Sequence, residues 1–284
     1  MPYNREEFDF IDAHCHFFPP QIFKAIWNFF ERPEIQGWPI NYKLNTEELV
    51  KFLESKNVKA FTTYNYAHKR GVADFINEWV NDFCMRYKSA IPFGCVWPED
   101  AGREQYITKI FDDYNFKGIK IQPLVQNFYL DDERLTKVYD LIFDRGKWLC
   151  VHIGTAPVRN EYVGYKYFIK FIEKYPDMNI IVPHMGAFEY RKFLNLLDKH
   201  EHLYLDTTMI YIPGNIFPER KVKRPKSDDL ISYQDRILYG TDFPNIPYDY
   251  DLSTKGLLNL DLNKAFYQDI FYNNAKRLFN LIIE

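Results

Sequence analysis

Eight short apolar runs alternate with longer stretches of helical periodicity, and this alternation constrains the fold most. The runs are rich in β-branched and aromatic residues, as is typical of buried parallel strands. They cover residues 8–14, 58–64, 90–96, 118–122, 148–153, 180–184, 203–207 and 237–241. The helical patterns between them cover residues 46–55, 72–87, 104–113, 132–144, 166–174 and 190–199, with another from about 264. Eight predicted strands that alternate with helical stretches in 284 residues predict an α/β fold of the (β/α)₈ TIM barrel type.

Residues 17–45 interrupt this rhythm between the first strand and its helix. The segment carries Trp27, Phe29, Phe30 and Trp38 and is far longer than an ordinary connection. It follows the carboxyl end of a strand, the face on which barrel enzymes build their active sites. We therefore expect an aromatic flap insertion that closes over a substrate, with a homodimer contact as the alternative role. No repeat or linker divides the chain, so residues 1–284 are expected to form a single domain.

Charge and hydropathy exclude several classes of protein. Lys and Arg total 36 against 39 Asp and Glu, so no strong field favours nucleic acid or an anionic membrane as a partner. The first twelve residues lack the apolar core of a signal peptide, and no uncharged run is long enough to span a bilayer. The four cysteines are far apart and suit buried thiols in a reducing compartment. These features predict a cytoplasmic protein with a small-molecule substrate.

Five residues of metal-binding type stand at the ends of four predicted strands. Because side chains alternate along a strand, His14 and His16 face the same side and Cys15 faces the other. The other three residues are His152, His184 and Asp242. In a closed barrel all five side chains can converge over the mouth. A lone histidine is a weak signal, but the joint placement predicts a catalytic site for Zn²⁺ or a related divalent ion.

The remaining three histidines do not share this position. His200 and His202 precede the seventh strand, so we expect them in a solvated loop on the opposite face. His68 follows the second strand and is a weaker candidate for a substrate contact.

Four further residues lie just past strand ends, where loops would bring them near a bound ligand. They are Tyr64, Trp97, Asn127 and Arg159. The Arg159 guanidinium could hold a substrate carboxylate as a fork. For each of the four, a packing or surface role is the alternative.

Successive motifs resemble those of the amidohydrolase-related family, a branch of the amidohydrolase superfamily with aminocarboxymuconate semialdehyde decarboxylase-like and resorcylate decarboxylase-like members. The resemblance runs from about residue 9 to residue 279 in order and spacing. It rests on the motifs at residues 11–16 (IDAHCH), 118–120 (GIK), 126–132 (QNFYLDD), 151–154 (VHIG), 183–186 (PHMG), 204–207 (YLDT) and 237–244 (ILYGTDFP).

The resemblance implies a distorted (β/α)₈ barrel with one divalent metal ion held by His14, His16, His152 and Asp242. Zn²⁺ is the first expectation and Mn²⁺ the alternative. His184 would then stand beside the metal-bound water as acid or base, and Asp242 could both ligate the metal and shuttle a proton.

One departure from the family pattern follows the fourth strand. Many members place a histidine two residues after the strand-four lysine, whereas this chain has Gln122 after Lys120. Elsewhere in the superfamily a carboxylated lysine bridges two metals. We favour a plain ammonium group at Lys120, because the resemblance is to members with one metal.

These observations predict a metal-dependent hydrolase acting on a small lactone, amide or ester through a metal-activated water. The alternative is non-oxidative decarboxylation of an aromatic or enoic carboxylic acid at the same site. A non-catalytic ligand-binding barrel is disfavoured, because a binding module needs no acid or base beside the metal.

Overall fold

The computed structural model describes residues 3–32, 38–156, 159–214 and 224–283. Within these ranges nine strands follow one another along the chain. They are β1 (Phe10–Asp12), β2 (Val58–Thr62), β3 (Ala90–Ile91), β4 (Phe93–Cys95), β5 (Gly118–Ile121), β6 (Trp148–Val151), β7 (Ile180–Val182), β8 (Leu203–Asp206) and β9 (Ile237–Leu238).

The strands form parallel ladders in chain order, β1-β2-β3 and then β4 to β9. The predicted third strand is split into β3 and β4, because Pro92 between them has no N–H to donate to a ladder. Main-chain hydrogen bonds from Ala13 N to Tyr239 O (2.9 Å) and from Asp242 N to His14 O (2.8 Å) place the first strand beside the last. The architecture is therefore that of a TIM barrel, as predicted.

Helices fill the intervals between the strands. They are α1 (Pro20–Phe30), α2 (Thr46–Ser55), α3 (Ala73–Arg86), α4 (Arg103–Asp112), α5 (Pro123–Gln126), α6 (Thr136–Asp144), α7 (Tyr165–Lys174), α8 (Tyr190–Leu197), α9 (Ser227–Ile231), α10 (Asp251–Leu258), α11 (Lys264–Gln268) and α12 (Asn274–Leu278). The predicted helices are present with small shifts at their ends. For example, α2 begins at a capping box in which Asn45 accepts from Glu48 N and Glu48 accepts from Asn45 N.

Two apolar clusters surround the strands, and strand alternation separates them. Ile11 and Ala13 of the first strand pack with Ala60 and Phe93 in the smaller cluster. Phe10, which alternates with Ile11, belongs to the larger cluster that includes residues of the helices. The strands therefore carry apolar side chains on both faces, as parallel barrel strands do.

The predicted flap contains helix α1, which lies beside the carboxyl ends of the strands. Pro20 occupies the first helical turn, where its missing N–H costs nothing. Trp27 Nε1 donates to Asn245 Oδ1 (3.3 Å) and Trp38 Nε1 donates to Asn245 O (3.2 Å). The insertion is thus tied to the loop that follows β9, while residues 33–37 of the predicted flap lie outside the described residues.

None of the helices in the described ranges combines the length and apolar character required to cross a membrane. The four cysteines all carry free thiols, and Cys15, Cys95 and Cys150 are buried.

Candidate metal centre

Four histidines meet at the carboxyl ends of the strands. The His14 ring centroid lies 5.1 Å from that of His16 and 5.2 Å from that of His184, and the His152 centroid lies 4.8 Å from that of His184. Each of the four side chains is at least nine-tenths buried. The structure therefore brings together the histidines that the sequence placed at separate strand ends.

Asp242 joins this group through one carboxylate oxygen. Its Oδ1 lies 2.7 Å from His16 Nε2 and 3.2 Å from His14 Nε2. Ligand atoms of His14, His184 and Asp242 all lie within 4.8 Å of one another. This trio differs from the ligand set implied by the family resemblance, since it contains His184 and leaves out His16 and His152.

The two histidines of the first strand are each oriented by an acceptor behind the ring. His14 Nδ1 lies 2.9 Å from Asp206 Oδ2, and His16 Nδ1 lies 3.0 Å from the main-chain oxygen of Tyr64. An acceptor at Nδ1 favours the tautomer with the proton on that nitrogen. Both Nε2 atoms then carry a lone pair and face Asp242.

The other two histidines are oriented in the same way. His184 Nδ1 lies 3.2 Å from Thr208 O, so Nε2 carries the lone pair. His152 Nε2 lies 3.0 Å from Ala156 O, so its lone pair is on Nδ1. Histidines that ligate metals commonly donate their second ring N–H to a carboxylate or carbonyl oxygen in this manner.

The donor set fits a divalent cation. With His16 Nδ1 donating to Tyr64, its Nε2 and the carboxylate oxygen of Asp242 are both acceptors, 2.7 Å apart. Two acceptors at this separation repel unless a proton or a cation lies between them. Imidazole nitrogens and carboxylate oxygens are ligands that Zn²⁺ and Mn²⁺ accept.

Asp206 is a site residue that the sequence reasoning did not select. It is fully buried, and besides meeting His14 it accepts from the main-chain N–H groups of His184 (2.8 Å) and Thr208 (3.1 Å). One carboxylate thus positions His14 on the first strand and His184 after β7. Its place at the end of β8, inside the motif of residues 204–207, was the available signal.

Asp12 is a second carboxylate that sequence reasoning missed, and it lies behind the histidine pair. Its Oδ2 accepts from Thr241 Oγ1 (2.6 Å) and Tyr250 OH (2.8 Å), and its Oδ1 accepts from His14 N (3.2 Å). Burial raises the pKa of Asp12 despite these hydrogen bonds. The network fixes the first strand against the residue that precedes Asp242.

The charge states at the site follow from burial and from the neighbouring side chains. Burial lowers the pKa values of His16 and His152, and it lowers that of His184 to about 4, so these rings are neutral at pH 7. Burial by itself would raise the pKa of Asp242, but His16 and His14 hold it well below its usual range. At His14 burial by itself would lower the pKa, but the charge and hydrogen bond of Asp206 together with the hydrogen bond of Asp242 raise it.

The backbone is strained at both residues expected to move protons. His184 has φ of 55° and Asp242 has φ of 70°, in the left-handed region that non-glycine residues seldom occupy. Met185 and Gly186 continue the left-handed turn after His184, and Ala187 also has a positive φ of 51°. Such conformations cluster at functional sites, because the surrounding structure must impose them.

The four predicted substrate contacts lie at different depths. The Tyr64 ring is buried and meets the His14 ring edge-on at 5.1 Å, so it lies directly beside the cluster. Trp97 is half-buried, whereas Asn127 and Arg159 are exposed. The loops that carry the last two touch, since Asn160 Nδ2 lies 3.4 Å from Asn127 Oδ1. Their contact with a substrate stays a prediction.

Lys120 and Gln122 lie on β5 and just beyond it. Lys120 is fully buried, with Nζ 3.4 Å from Cys150 Sγ and 5.1 Å from the centre of the Tyr64 ring. In the described part of the chain no carboxylate pairs with it, and its carboxylation stays untested. Gln122 and His152 directly follow the paired residues Ile121 and Val151, and the buried Oε1 of Gln122 has no hydrogen-bond partner among the described residues.

Two aromatic residues that the sequence reasoning did not select contact His16. The Phe18 ring stacks on the His16 ring at 6.2 Å, and the Tyr66 ring meets it edge-on at 6.0 Å. Burial and the charge of Asp242 raise the pKa of the Tyr66 hydroxyl. These rings form an aromatic wall on one side of the metal centre.

A family model described as amidohydrolase matches residues 11–281. The chain belongs to this amidohydrolase family and is an enzyme of the amidohydrolase superfamily, as the motifs predicted. No curated protein matches the chain by sequence.

Solved structures with the same fold include an uncharacterized TIM-barrel protein from Bordetella bronchiseptica, at 18% identity, TM-score 0.71, and coverage of 96% of this chain and 98% of that one. A dihydroxybenzoic acid decarboxylase from Polaromonas sp. JS666 with bound manganese has 15% identity, TM-score 0.64 and coverage of 96% and 97%. A 4-oxalomesaconate hydratase from Rhodopseudomonas palustris has 17% identity, TM-score 0.61 and coverage of 95% of each chain. At these identities the likeness concerns the fold.

Proposed function

We propose that this enzyme is a metal-dependent hydrolase of a small lactone, amide or ester. The observation that carries the proposal is that His14 and His16 Nε2 converge on one oxygen of Asp242, with a His184 ligand atom within 4.8 Å, while an acceptor holds the other nitrogen of each ring. His14, His16, His152 and Asp242 would hold one divalent ion. Zn²⁺ suits this donor set, and Mn²⁺, which the Polaromonas decarboxylase contains, is the alternative.

A divalent ion at this position supplies Lewis acidity, which lowers the pKa of water towards about 7 and polarises a carbonyl oxygen. The residues of the chain then handle the proton. His184 is neutral at pH 7, because burial lowers its pKa to about 4, and Asp242 is ionised. Either group can accept the proton of the attacking water and return it to the leaving oxygen or nitrogen.

The roles of His152 and His184 are the finer part of this assignment. His184 is one of the three residues whose ligand atoms are mutually close, so it could also bind the ion directly. We assign it proton transfer because the family resemblance implies that role, and Asp206 and Thr208 hold its backbone and ring in place for it. His152 offers Nδ1 as the remaining histidine ligand.

Decarboxylation of an aromatic carboxylic acid is the second candidate. The aromatic wall of Phe18 and Tyr66 beside His16 favours it, because such rings suit a flat substrate. In this reaction the carbon–carboxylate bond breaks and CO₂ departs, and a proton taken from water by His184 or Asp242 is passed to the carbon in its place. The similar structures contain a decarboxylase that acts on a dihydroxybenzoic acid, which also supports this candidate.

Turnover in ¹⁸O-labelled water separates the two reactions. Lactones, amides, esters and hydroxybenzoates are screened with metal-loaded protein, and headspace CO₂ is measured alongside label uptake. Hydrolysis predicts ¹⁸O in a new carboxylate or hydroxyl group of the product. Release of CO₂ that depends on metal and on Asp242, without uptake of label, would contradict hydrolysis. A single domain over residues 1–284, a cytoplasmic location and a homodimer stay predictions.

A further inference from the structure

A groove runs between helix α1 and the loops that follow β2 and β5. We call it the α1 groove; its walls include Phe18, Ile22, Ile26, Phe29, Tyr66 and Val125. Its volume is about 320 Å³, at the lower end of the range for small-molecule sites. Eight of its ten lining residues are apolar or aromatic, and the other two are Arg32 and His68. The groove therefore suits an apolar group with little need for hydrogen bonds.

The α1 groove opens on the face of the barrel where the metal centre lies. Helix α1 follows β1, Tyr66 follows β2, and Val125 lies in α5 directly after β5. All three segments leave the carboxyl ends of strands, which is where barrel enzymes bind substrates.

Two walls of the α1 groove also contact the metal centre. Phe18 and Tyr66 line the groove, and the same two rings contact His16. The groove and the metal centre thus share these two aromatic rings.

Helix α1 is held in position relative to the centre. Trp27 on its opposite side donates to Asn245 Oδ1, and the main-chain N–H of Asn245 donates to Asp242 O (3.1 Å). On the groove side, Phe29 keeps 47% of its surface exposed and Val125 keeps 39%. These two apolar side chains at the groove edge would be covered by an apolar ligand.

We propose that the α1 groove binds an apolar group of the substrate, an alkyl chain or an aryl ring attached to the part that reacts at the metal centre. This inference rests on the proposed function, since it needs a substrate that reacts beside His16. It applies to hydrolysis and to decarboxylation alike. The groove would thus set the enzyme's preference for substrates with an extended apolar substituent.

Two hydroxamic acids provide the test, because the hydroxamate head binds divalent metals and the alkyl chain can be varied. Binding of acetohydroxamic acid and hexanohydroxamic acid to metal-loaded protein is measured by calorimetry. Each methylene buried in an apolar site tightens binding about fourfold, so four added methylenes predict a gain on the order of 100-fold. Equal affinity of the two acids would overturn the proposal.

Ala25 and Asn28 provide a matched pair of variants on the same exposed helix surface. Ala25 lines the groove, whereas Asn28 does not. Ala25→Trp fills the groove and should reduce the chain-length gain to tenfold or less, with binding of acetohydroxamic acid unchanged. Asn28→Trp should retain the full gain. Identical behaviour of the two variants would contradict the assignment.

A ligand without a metal-binding head separates this inference from the proposed function. Saturation-transfer NMR measures the binding of 1-hexanol to metal-free protein. This binding should be lost in Ala25→Trp and kept in Asn28→Trp. If the protein binds no metal but binds hexanol, with the loss confined to Ala25→Trp, the proposed function is wrong and the assignment of the groove as an apolar binding site is supported. If hexanol does not bind, the groove assignment fails whatever the metal content.

Discussion

The chain contains two His-x-His pairs, and they lie at opposite ends of barrel strands. His14 and His16 follow β1 and are buried, with 1% and 5% of their surfaces exposed. His200 and His202 precede β8, where His202 is exposed and His200 is half-buried. The same local pattern thus gives two very different environments.

The difference between the pairs is the chemistry of their neighbours. Two carboxylates flank the first pair. Asp206 Oδ2 lies 2.9 Å from His14 Nδ1, and Asp242 Oδ1 lies 2.7 Å from His16 Nε2. In the second pair, His200 Nδ1 has Pro176 O at 3.5 Å. A His-x-His pair therefore becomes a metal-site candidate when the fold brings carboxylates close to it. In this chain that happens for the pair at the carboxyl end of its strand, and not for the pair at the amino end.

The largest contrast is expected in metal content. His14→Ala or His16→Ala each removes a proposed ligand, so we expect the ion to be lost and activity to fall to background. Wild-type protein purified without chelator should carry about one divalent ion per chain by elemental analysis. His202→Ala is the matched control and should keep both metal and activity. Equal metal loss in all three variants would remove the distinction between the pairs.

His184 separates ligation from proton transfer inside the centre. We expect His184→Ala to keep most of its metal and to lose about 10² to 10⁴ of kcat, the usual contribution of a general acid or base. Metal content and kcat are measured on the same preparation. If the purified His184→Ala protein contains no metal, His184 is a ligand.

A substitution at Asp206 tests whether this carboxylate orients His14 for metal binding. Asp206→Asn keeps the shape but weakens the acceptor at His14 Nδ1, so metal affinity should fall about 10- to 100-fold. Competition with a chelator of known affinity measures the change. Asp235→Asn, at the amino end of β9, serves as control. Unchanged affinity in Asp206→Asn would mean that His14 needs no orienting partner.

The smallest effect is expected at the second pair. His202→Ala should change the free energy of unfolding by less than about 0.5 kcal/mol, because the side chain is exposed. Chemical denaturation measures this value. A loss of several kcal/mol would mean that the second pair has a structural role that its surroundings do not indicate.

The strand order and the meeting of the histidines could be predicted from the sequence, because β-branched runs end at each of these residues. The run of apolar residues predicts one strand over residues 90–96, whereas Pro92 divides it into β3 and β4. The sequence predicts a flap over residues 17–45 but no helix within it. Pro20 could have indicated the start of α1, because proline is common at the first position of a helix.

Three contributors to the centre could not be selected by residue type alone. Asp206 and Asp12 act on histidines from behind, and their role depends on contacts between strands that are far apart in sequence. Tyr66 reaches His16 from the loop after β2, where an exposed aromatic residue would look the same in sequence. The ring nitrogen that carries the lone pair in each histidine depends on the acceptor that the other nitrogen meets. That acceptor is set by the folded structure and not by the local sequence.

The most direct test of the central claim is anomalous diffraction from crystals of protein loaded with Zn²⁺ or Mn²⁺. The account predicts one peak per chain at the metal centre, about 2.0–2.2 Å from nitrogens of His14, His16 and His152 and from an oxygen of Asp242. The His184 ring should lie beside the ion without ligating it. No peak at this position, or a peak bound by His200 and His202, would contradict the account.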